Sequence, residues 1–251
     1  MRIPRFYCPE PIANAAQHTA QIQLEARLAH HAFRVLRLRR GDQVTLFDGT
    51  GGEYAASVHA LDAQRMSVNV GRHLPVERES PLPTCIVQAL STGERMAFTL
   101  EKCVELGATR FQPIESERSV VRLKDERAQR RQQHWQQVVI AACEQCGRNT
   151  VPIVAESLPF VRWIAALPQQ MQGIVLAPGA AQPLARIAVP EAAAGELLLA
   201  VGPEGGFTDI ELDLLERRGF VRVSLGPRTL RSETAAAAAL AALQACFGDF
   251  R

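Results

Sequence analysis

The alternation of apolar and polar residues divides the chain into two parts. As far as residue 73, short segments with period-two alternation predict β-strands, and a Gly-rich turn over 48–52 predicts a hairpin. One amphipathic helix is predicted over 24–38. From residue 84, apolar runs of strand length alternate with helical patterns, which is typical of a mainly parallel α/β sheet. The predicted strands of this second part are 85–89, 110–114, 152–155, 173–177, 197–201 and 220–224, and its predicted helices are 95–106, 125–146, 160–167, 209–218 and 233–247.

A proline-rich stretch separates the two patterns. Residues 74–83 contain three prolines and charges of both signs, which is typical of a linker. With 251 residues the chain is long enough to bury two cores. We therefore predict a small strand-rich domain over 1–73, a linker over 74–83 and an α/β domain over 84–251.

Two strand–turn–helix units follow one another near the C-terminus. In the first, a glycine turn, Gly202-Pro-Glu-Gly-Gly206, comes directly after an apolar strand. Thr208 and Glu211 then have the spacing of a helix capping box. In the second, a turn over 225–231 leads into an Ala-rich helix. Both turns follow the carboxyl ends of strands, where open α/β sheets bind ligands.

The residue types of the glycine turn restrict what could bind there. Glycines let the backbone approach a ligand closely, although a tight turn without a ligand has the same composition. Phosphate-binding loops place a lysine and a hydroxyl beside their glycines, whereas this turn carries Glu204, which would repel a phosphate. An uncharged or cationic ligand suits the turn better, and S-adenosylmethionine is one such ligand.

Two motifs together resemble a known family. Ala-Val-Gly202-Pro-Glu-Gly-Gly-Phe-Thr-x-x-Glu211 is followed by Leu225-Gly226-x-Arg228-x-Leu230-Arg231-x-Glu233-Thr234-Ala235. This pair is similar to the signature of the RsmE-type 16S ribosomal RNA uridine-N3 methyltransferases, which belong to the SPOUT superfamily. The resemblance covers nearly the whole chain and continues upstream in Lys102–Gly107, Ser116–Ser119 and Ala142–Arg148.

The resemblance implies a fold, a reaction and partners. The implied fold is α/β, with a C-terminal trefoil-knotted parallel-sheet domain preceded by a small PUA-like β-barrel. The implied reaction is S-adenosylmethionine-dependent methylation of a uridine N3, either in 16S ribosomal RNA or in the assembled small subunit. A homodimer is also implied, and the final helix, which is apolar nearly all round, agrees with a covered surface.

The same resemblance implies the site residues. Those implied for cofactor binding are Leu176, Ala177, Pro178, Gly202, Pro203, Glu204, Gly205, Gly206, Leu225, Gly226, Leu230 and Arg231. Those implied near the chemistry are Arg231, Glu204, Glu233, Arg118 and Arg148. Arg231 is the best functional candidate, because packing gives no reason for an arginine just before a helix. Glu233 also suits the first turn of a helix through the helix dipole, and Glu204 could simply fix the turn.

Arginines are concentrated in the first part of the chain. Residues 1–72 contain nine arginines and six acidic residues, so this part has a net charge of about +3. The net charge of the whole chain is +2, because the remainder carries about −1. Guanidinium groups suit contacts with phosphates and stacked bases, although a run of charges is often only a solvated surface. The predicted RNA-binding residues are Arg2, Arg5, Arg27, Arg34, Arg37 and Arg39, with a second strip that includes Arg127 and Arg131.

The absence of targeting segments and the spacing of the cysteines limit the functions that the sequence favours. No signal peptide and no membrane-spanning run is predicted, which favours a cytoplasmic protein. Cys143 and Cys146 form a Cys-x-x-Cys pair, but it lies within a helical pattern and has no second pair at zinc spacing, so no metal is expected. A nucleotide-binding enzyme and a non-catalytic RNA-binding factor on the same fold stay open as alternatives.

Overall fold

The computed structural model describes residues 3–12, 21–122, 125–169, 171–187 and 195–250. The chain divides into two compact units. The first extends to Glu79 and includes the segment Cys143–Val151, and the second comprises Ser80–Ala142 and the chain from Pro152 onward. No helix among the described residues is long and apolar enough to cross a membrane.

The first unit is built on one five-stranded sheet. The order of its strands is β1-β3-β4-β5-β2, and all neighbours are antiparallel except β1 and β3. Helix α1 buries Leu28, Ala29 and Ala32 in the core of this unit. Its elements are β1 (Arg5–Tyr7), β2 (Gln21–Leu24), α1 (Ala26–Arg34), β3 (Gln43–Phe47), β4 (Glu53–Leu61) and β5 (Met66–Leu74).

Helix α1 is shorter at both ends than the predicted helix over 24–38. At its start, Gln21–Leu24 is a strand, because it pairs antiparallel with residues 66–69 of β5. At its end, Arg37 has a φ of +54°, which is not helical. The predicted hairpin is confirmed, since β3 and β4 pair antiparallel across the turn at 48–52.

The linker prediction also differs from the structure. Part of the predicted linker, as far as Glu79, belongs to the first unit. Side chains explain this: Arg78 donates to Glu53 and to the carbonyl of Gly147, and Glu79 accepts from Arg148. The loop after the longest helix is therefore tied into the first unit, although the sequence pattern assigned it to the α/β domain.

The second unit is the predicted α/β domain, and all of its strand pairs are parallel. The order of its sheet is β12-β10-β11-β6-β7-β8, with β9 also pairing with β7. The two central strands, β6 and β11, are buried along their whole length. The strands are β6 (Thr84–Ala89), β7 (Arg110–Glu115), β8 (Ile153–Val154), β9 (Leu158–Pro159), β10 (Gly173–Leu176), β11 (Leu197–Val201) and β12 (Phe220–Val223). The helices are α2 (Gly93–Glu105), α3 (Asp125–Cys146), α4 (Phe160–Ala166), α5 (Asp209–Arg217) and α6 (Ser232–Phe247), with a 3₁₀ turn at Leu184–Arg186.

Candidate active site

Three adjacent parallel strands end at one edge of the second sheet. Strand β10 pairs with β11 on one side and with β12 on the other. The loops that follow these strands therefore leave the sheet at the same edge, as the sequence predicted for two of them. They enclose a pocket of about 360 Å³. The pocket is lined by Arg95, Leu176, Ala177, Pro178, Val201, Gly202, Pro203, Glu204, Gly206, Val223, Leu225, Gly226, Arg228, Thr229, Leu230, Arg231, Ser232 and Ala235.

The glycine turn after β11 is held by the start of α5. A Cβ on Gly202 would lie 3.0 Å from the backbone nitrogen of Phe207, so a side chain here would press on the backbone of the turn. The predicted capping box is confirmed: the N–H of Thr208 donates to Glu211 Oε2 at 2.9 Å, and the N–H of Glu211 donates to Thr208 Oγ1 at 3.3 Å. Glu211 also accepts the N–H of Glu117 at 2.8 Å. These bonds anchor the end of the turn to the start of α5 and to the backbone at Glu117.

The turn after β12 is tied to the glycine turn by one hydroxyl group. Ser232, the first residue of α6, donates from Oγ to the carbonyl of Gly202 at 2.7 Å. The buried amide of Gln88 donates to the same Oγ at 2.9 Å. Gly226 in this second turn has a φ of +90°, and no atom lies within 4 Å of the position that a Cβ would take. The wall at Gly226 is therefore bare backbone facing open space.

The charged groups around the pocket centre on Arg95. Its Nη1 lies 2.5 Å from Glu204 Oε1, and its Nε lies 3.8 Å from Glu233 Oε1. The other carboxylate oxygen of Glu233 is buried and has no hydrogen-bond partner among the described residues. Arg231 lines the pocket with an exposed side chain and makes no capping hydrogen bond to α6, whose N-cap it is.

Most of the predicted cofactor residues meet in this pocket. All of them line it except Gly205, where a Cβ would lie 3.4 Å from the Cβ of Arg118. Arg118 also donates to the Gly205 carbonyl at 2.9 Å, so this arginine supports the outer side of the turn. Glu233 does not line the pocket and is placed beside it through Arg95. The lining residues that are not among those implied for cofactor binding are Arg95, Val201, Val223, Arg228, Thr229, Ser232 and Ala235.

Two predicted arginines have structural positions in the first unit. Arg148 has a side chain that is only 4% exposed and pairs with Glu79, so the structure does not bring it to the pocket. Arg5 is 7% exposed, lies 2.5 Å from Glu53 and donates to Asn149 at 2.6 Å. In these positions both guanidinium groups are paired with carboxylates and shielded from solvent, so neither is presented to an RNA phosphate. The functional roles of Arg148 and Arg5 therefore stay predictions.

The other predicted RNA-binding residues are on the surface. Exposed side chains are found at Arg27, Arg34, Arg37 and Arg39 around α1, and at Arg127 and Arg131 on α3. Arg2 lies outside the described residues.

The Cys-x-x-Cys pair lies at the end of α3. Burial raises the pKa of the Cys143 thiol to about 12, so this thiol stays protonated at neutral pH. Cys146 is half-buried, and both cysteines are free. Among the described residues, no group of three or more His, Cys, Asp or Glu side chains could hold a metal ion.

Comparison with known proteins identifies relatives over the whole chain. A family model described as an RNA methyltransferase domain matches residues 78–244, and one described as an RNA methyltransferase PUA domain matches residues 24–70. Ribosomal RNA small subunit methyltransferase E of Buchnera aphidicola subsp. Schizaphis graminum is 32% identical over 248 residues, which cover 99% of this chain and 98% of the relative.

Two solved structures are similar in fold as well as sequence. The crystal structure of ribosomal RNA small subunit methyltransferase E from Neisseria gonorrhoeae, bound to S-adenosyl methionine, matches with a TM-score of 0.89 at 39% identity and covers 100% of both chains. A putative methyltransferase from Legionella pneumophila, in complex with the same cofactor, matches with a TM-score of 0.90 at 34% identity, covering 99% of this chain and 100% of that one.

Proposed function

Because the chain belongs to the RNA methyltransferase family that includes ribosomal RNA small subunit methyltransferase E, we propose that it methylates N3 of a uridine in 16S ribosomal RNA with S-adenosylmethionine. The observation that carries the proposal is the pocket at the carboxyl ends of β10, β11 and β12. Its walls are apolar side chains, bare backbone, the carboxylate of Glu204 and three arginines, Arg95, Arg228 and Arg231. The two solved relatives hold the same cofactor, which supports assigning it to this pocket.

The residues of the pocket fit S-adenosylmethionine. Leu176, Leu225 and Leu230 offer apolar contact for an adenine ring, and the backbone at Gly226 leaves room for a close approach. When bound, the cofactor supplies an electrophilic methyl group on a sulfonium. The sulfonium and the ammonium are cationic, and Glu204, which shares its charge with Arg95, is the one acid among the described lining residues that attracts them. Glu233 Oε2 is buried and accepts no hydrogen bond from the described residues. Because buried polar atoms are normally paired, we expect a hydrogen-bond donor beside it.

Arg231 is the residue that we assign to the uracil. N3 of uridine carries a proton at neutral pH, and its loss spreads negative charge over O2 and O4. A guanidinium at the pocket edge stabilises that developing charge. Arg231 suits this role because its side chain is exposed, lines the pocket and makes no capping hydrogen bond to α6. Arg118 supports the glycine turn, so its contribution is positional.

The first unit and the assembly complete the proposal. We assign RNA binding to the first unit through the exposed arginines around α1, and we propose that the protein acts in the cytoplasm on 16S ribosomal RNA or the assembled small subunit. We also propose a homodimer, because α6 buries one face while Ala245 and Cys246 stay exposed and several of its alanines are half-buried. Small side chains would let a second copy approach closely.

Methyl transfer to ribosomal RNA tests this function. The protein is incubated with tritiated S-adenosylmethionine and small subunits from cells that lack the enzyme, and the digested RNA is analysed by nucleoside mass spectrometry. We expect label in 3-methyluridine. Label in another nucleoside would contradict the N3 assignment, and no label in subunits or naked RNA would favour a non-catalytic RNA-binding factor. ATP and NADH should not displace S-adenosylmethionine, whereas displacement would support a nucleotide-binding enzyme.

A further inference from the structure

Helix α1 ends in an exposed patch that mixes apolar and basic side chains. Phe33 is 39% exposed, and Val35 and Leu36, which follow the helix, are 62% and 38% exposed. The guanidinium carbon of Arg34 lies 5.6 Å from the centroid of the Phe33 ring. Arg37 and further exposed arginines come directly after. We define the α1 patch as Phe33, Arg34, Val35, Leu36, Arg37, Arg39 and Arg40.

The core of the first unit does not account for this patch. Helix α1 meets the core with Leu28, Ala29 and Ala32, and Phe33 is not among the residues of that core. A single exposed apolar side chain is common on protein surfaces, but adjacent ones rimmed by charges mark interaction surfaces. The exposure of Phe33, Val35 and Leu36 therefore points to a partner.

The backbone holds the patch in a defined shape. Arg37 has a φ of +54°, and it is the one non-glycine residue with positive φ in the described part of the chain. This conformation costs an L-residue free energy, so it persists only where its surroundings impose it. The N–H groups of Val35 and Leu36 both donate to the carbonyl of His31, and that of Leu38 donates to Ala32. The side chains of the patch are thus presented from a fixed turn.

The chemistry of the patch selects one kind of partner. An aromatic ring with a neighbouring guanidinium is a surface on which nucleic acid bases stack, and surrounding arginines suit the phosphates. Asp42 accepts the backbone N–H of Arg39 at 2.7 Å rather than its guanidinium. An anionic bilayer fits less well, because membrane-surface helices present a long apolar face, and the long apolar face of α1 is buried in the core.

We propose that the α1 patch is a stacking platform for an unpaired base of the substrate RNA. The base stacks on the ring of Phe33, and Arg37 and Arg39 contact the flanking phosphates. Single-stranded loops, whose bases can be splayed out, fit such a platform, whereas paired bases do not. This inference rests on the proposed function, since it takes ribosomal RNA as the substrate.

Salt dependence separates stacking from phosphate contact. Equilibrium binding of a short labelled oligouridylate and of an RNA duplex is measured over a range of salt concentrations. For Phe33→Ala we expect affinity for the single strand to fall about tenfold at every salt concentration, with an unchanged slope of log K against log salt. For Arg37→Ala we expect that slope to become shallower by about one. Phe33→Trp should restore single-strand affinity.

Control measurements distinguish base stacking from a membrane contact or a contact between copies. Phe98 on α2 is 44% exposed, so Phe98→Ala removes a matched aromatic side chain and should leave RNA binding unchanged. Unchanged single-strand affinity in Phe33→Ala, or an equal loss for the duplex, would overturn the platform. Loss of binding to phosphatidylserine vesicles with RNA binding intact would assign the patch to a membrane. A lower molecular mass for Phe33→Ala than for the wild type in light scattering would assign the α1 patch to an interface between copies.

The proposed function fails by a different result. S-adenosylmethionine affinity, measured by calorimetry, should be the same in Phe33→Ala and in the wild type. A wild-type protein that transfers no methyl group would refute the proposed function, while the platform is judged by RNA binding alone.

Discussion

Nη1 of Arg95 lies 2.5 Å from Oε1 of Glu204, so an arginine in the first turn of α2 holds a carboxylate of the glycine turn 109 residues later. The same side chain places its Nε 3.8 Å from Glu233 at the start of α6. One guanidinium thus bridges a carboxylate of the glycine turn and a carboxylate at the start of α6. No local feature of the sequence indicates this pairing.

Loss of the Arg95 bridge should weaken cofactor binding. In Arg95→Met the stem stays, but Glu204 and Glu233 lose the cation between them, so the glycine turn is less well anchored. The pair is partly exposed, so an effect of up to about 1 kcal/mol is expected, or a roughly fivefold weaker S-adenosylmethionine affinity by calorimetry. Arg130→Met, which breaks the exposed pair with Glu126, is the control. Unchanged or tighter binding in Arg95→Met would refute the bridge.

Arg231→Ala should separate catalysis from binding. The side chain is exposed and its removal leaves the α6 N-cap intact, so folding and the dimer should survive. We expect methyl transfer to RNA at saturating cofactor to fall by about 100-fold or more, because one stabilising group for the uracil charge is lost. Arg162→Ala, on the exposed surface of α4, is the control. Near-normal turnover in Arg231→Ala would remove the residue from the chemistry.

Gln244 should contribute to the stability of the second unit. Its side chain is fully buried, accepts from Ser80 Oγ at 2.6 Å and donates to the carbonyl of Leu106 at 3.0 Å. Gln244→Leu leaves the hydroxyl of buried Ser80 without its acceptor and the half-buried carbonyl of Leu106 without this donor, which should lower the free energy of unfolding by about 1–3 kcal/mol in urea titration. Gln129→Leu, at an exposed position of α3, should change it little. A loss no larger than that of the control would show that the two bonds are not stabilising.

The buried thiols should react slowly with alkylating reagents and should make the stability of the fold depend on alkaline pH. Burial raises the pKa of Cys8, Cys85, Cys103 and Cys143 from 9.0 to about 12. Iodoacetamide at neutral pH should therefore modify these four thiols only after unfolding. Rapid labelling of Cys103 in the native protein would contradict their burial.

The raised pKa values of these four thiols also determine how the stability of the fold changes with pH. The unfolded chain releases the four protons near pH 9.0, while the folded chain keeps them until about pH 12. Their contribution to stability is therefore complete below pH 9.0 and is lost as the pH rises toward 12. Urea midpoints should fall over this range, and a midpoint that stays constant would contradict the prediction.

The elements that the sequence predicts correctly are those determined by the pattern of neighbouring residues. The apolar run Leu197–Val201 and helix Asp125–Cys146 have the predicted bounds, and the Thr208–Glu211 capping box forms as its spacing indicates. The family model and the relatives also confirm the fold class and the RNA methyltransferase assignment that the two motifs suggested.

The errors occur where distant residues decide. Gln21–Leu24 is a strand because β5 lies beside it, not because of its own pattern. The pairing of Arg5 with Glu53 and of Arg148 with Glu79 is likewise invisible in the local pattern, because the partners are far apart in the chain. The two-residue strand β9 is too short for periodicity to define it, whereas β8 lies within the strand predicted at 152–155. The trefoil knot is implied by the family resemblance alone, since no sequence pattern indicates threading.

Calorimetric titration of S-adenosylmethionine into two matched glycine variants tests most directly whether the pocket is the cofactor site. Gly226 and Gly41 have φ values of +90° and +92°, and neither has an atom within 4 Å of a Cβ position, but only Gly226 lines the pocket. Leucine at either site carries a similar backbone strain of about 1–2 kcal/mol. We predict that Gly41→Leu binds S-adenosylmethionine like the wild type and that folded Gly226→Leu does not bind it measurably. Wild-type affinity in folded Gly226→Leu would contradict the assignment of the cofactor to this pocket.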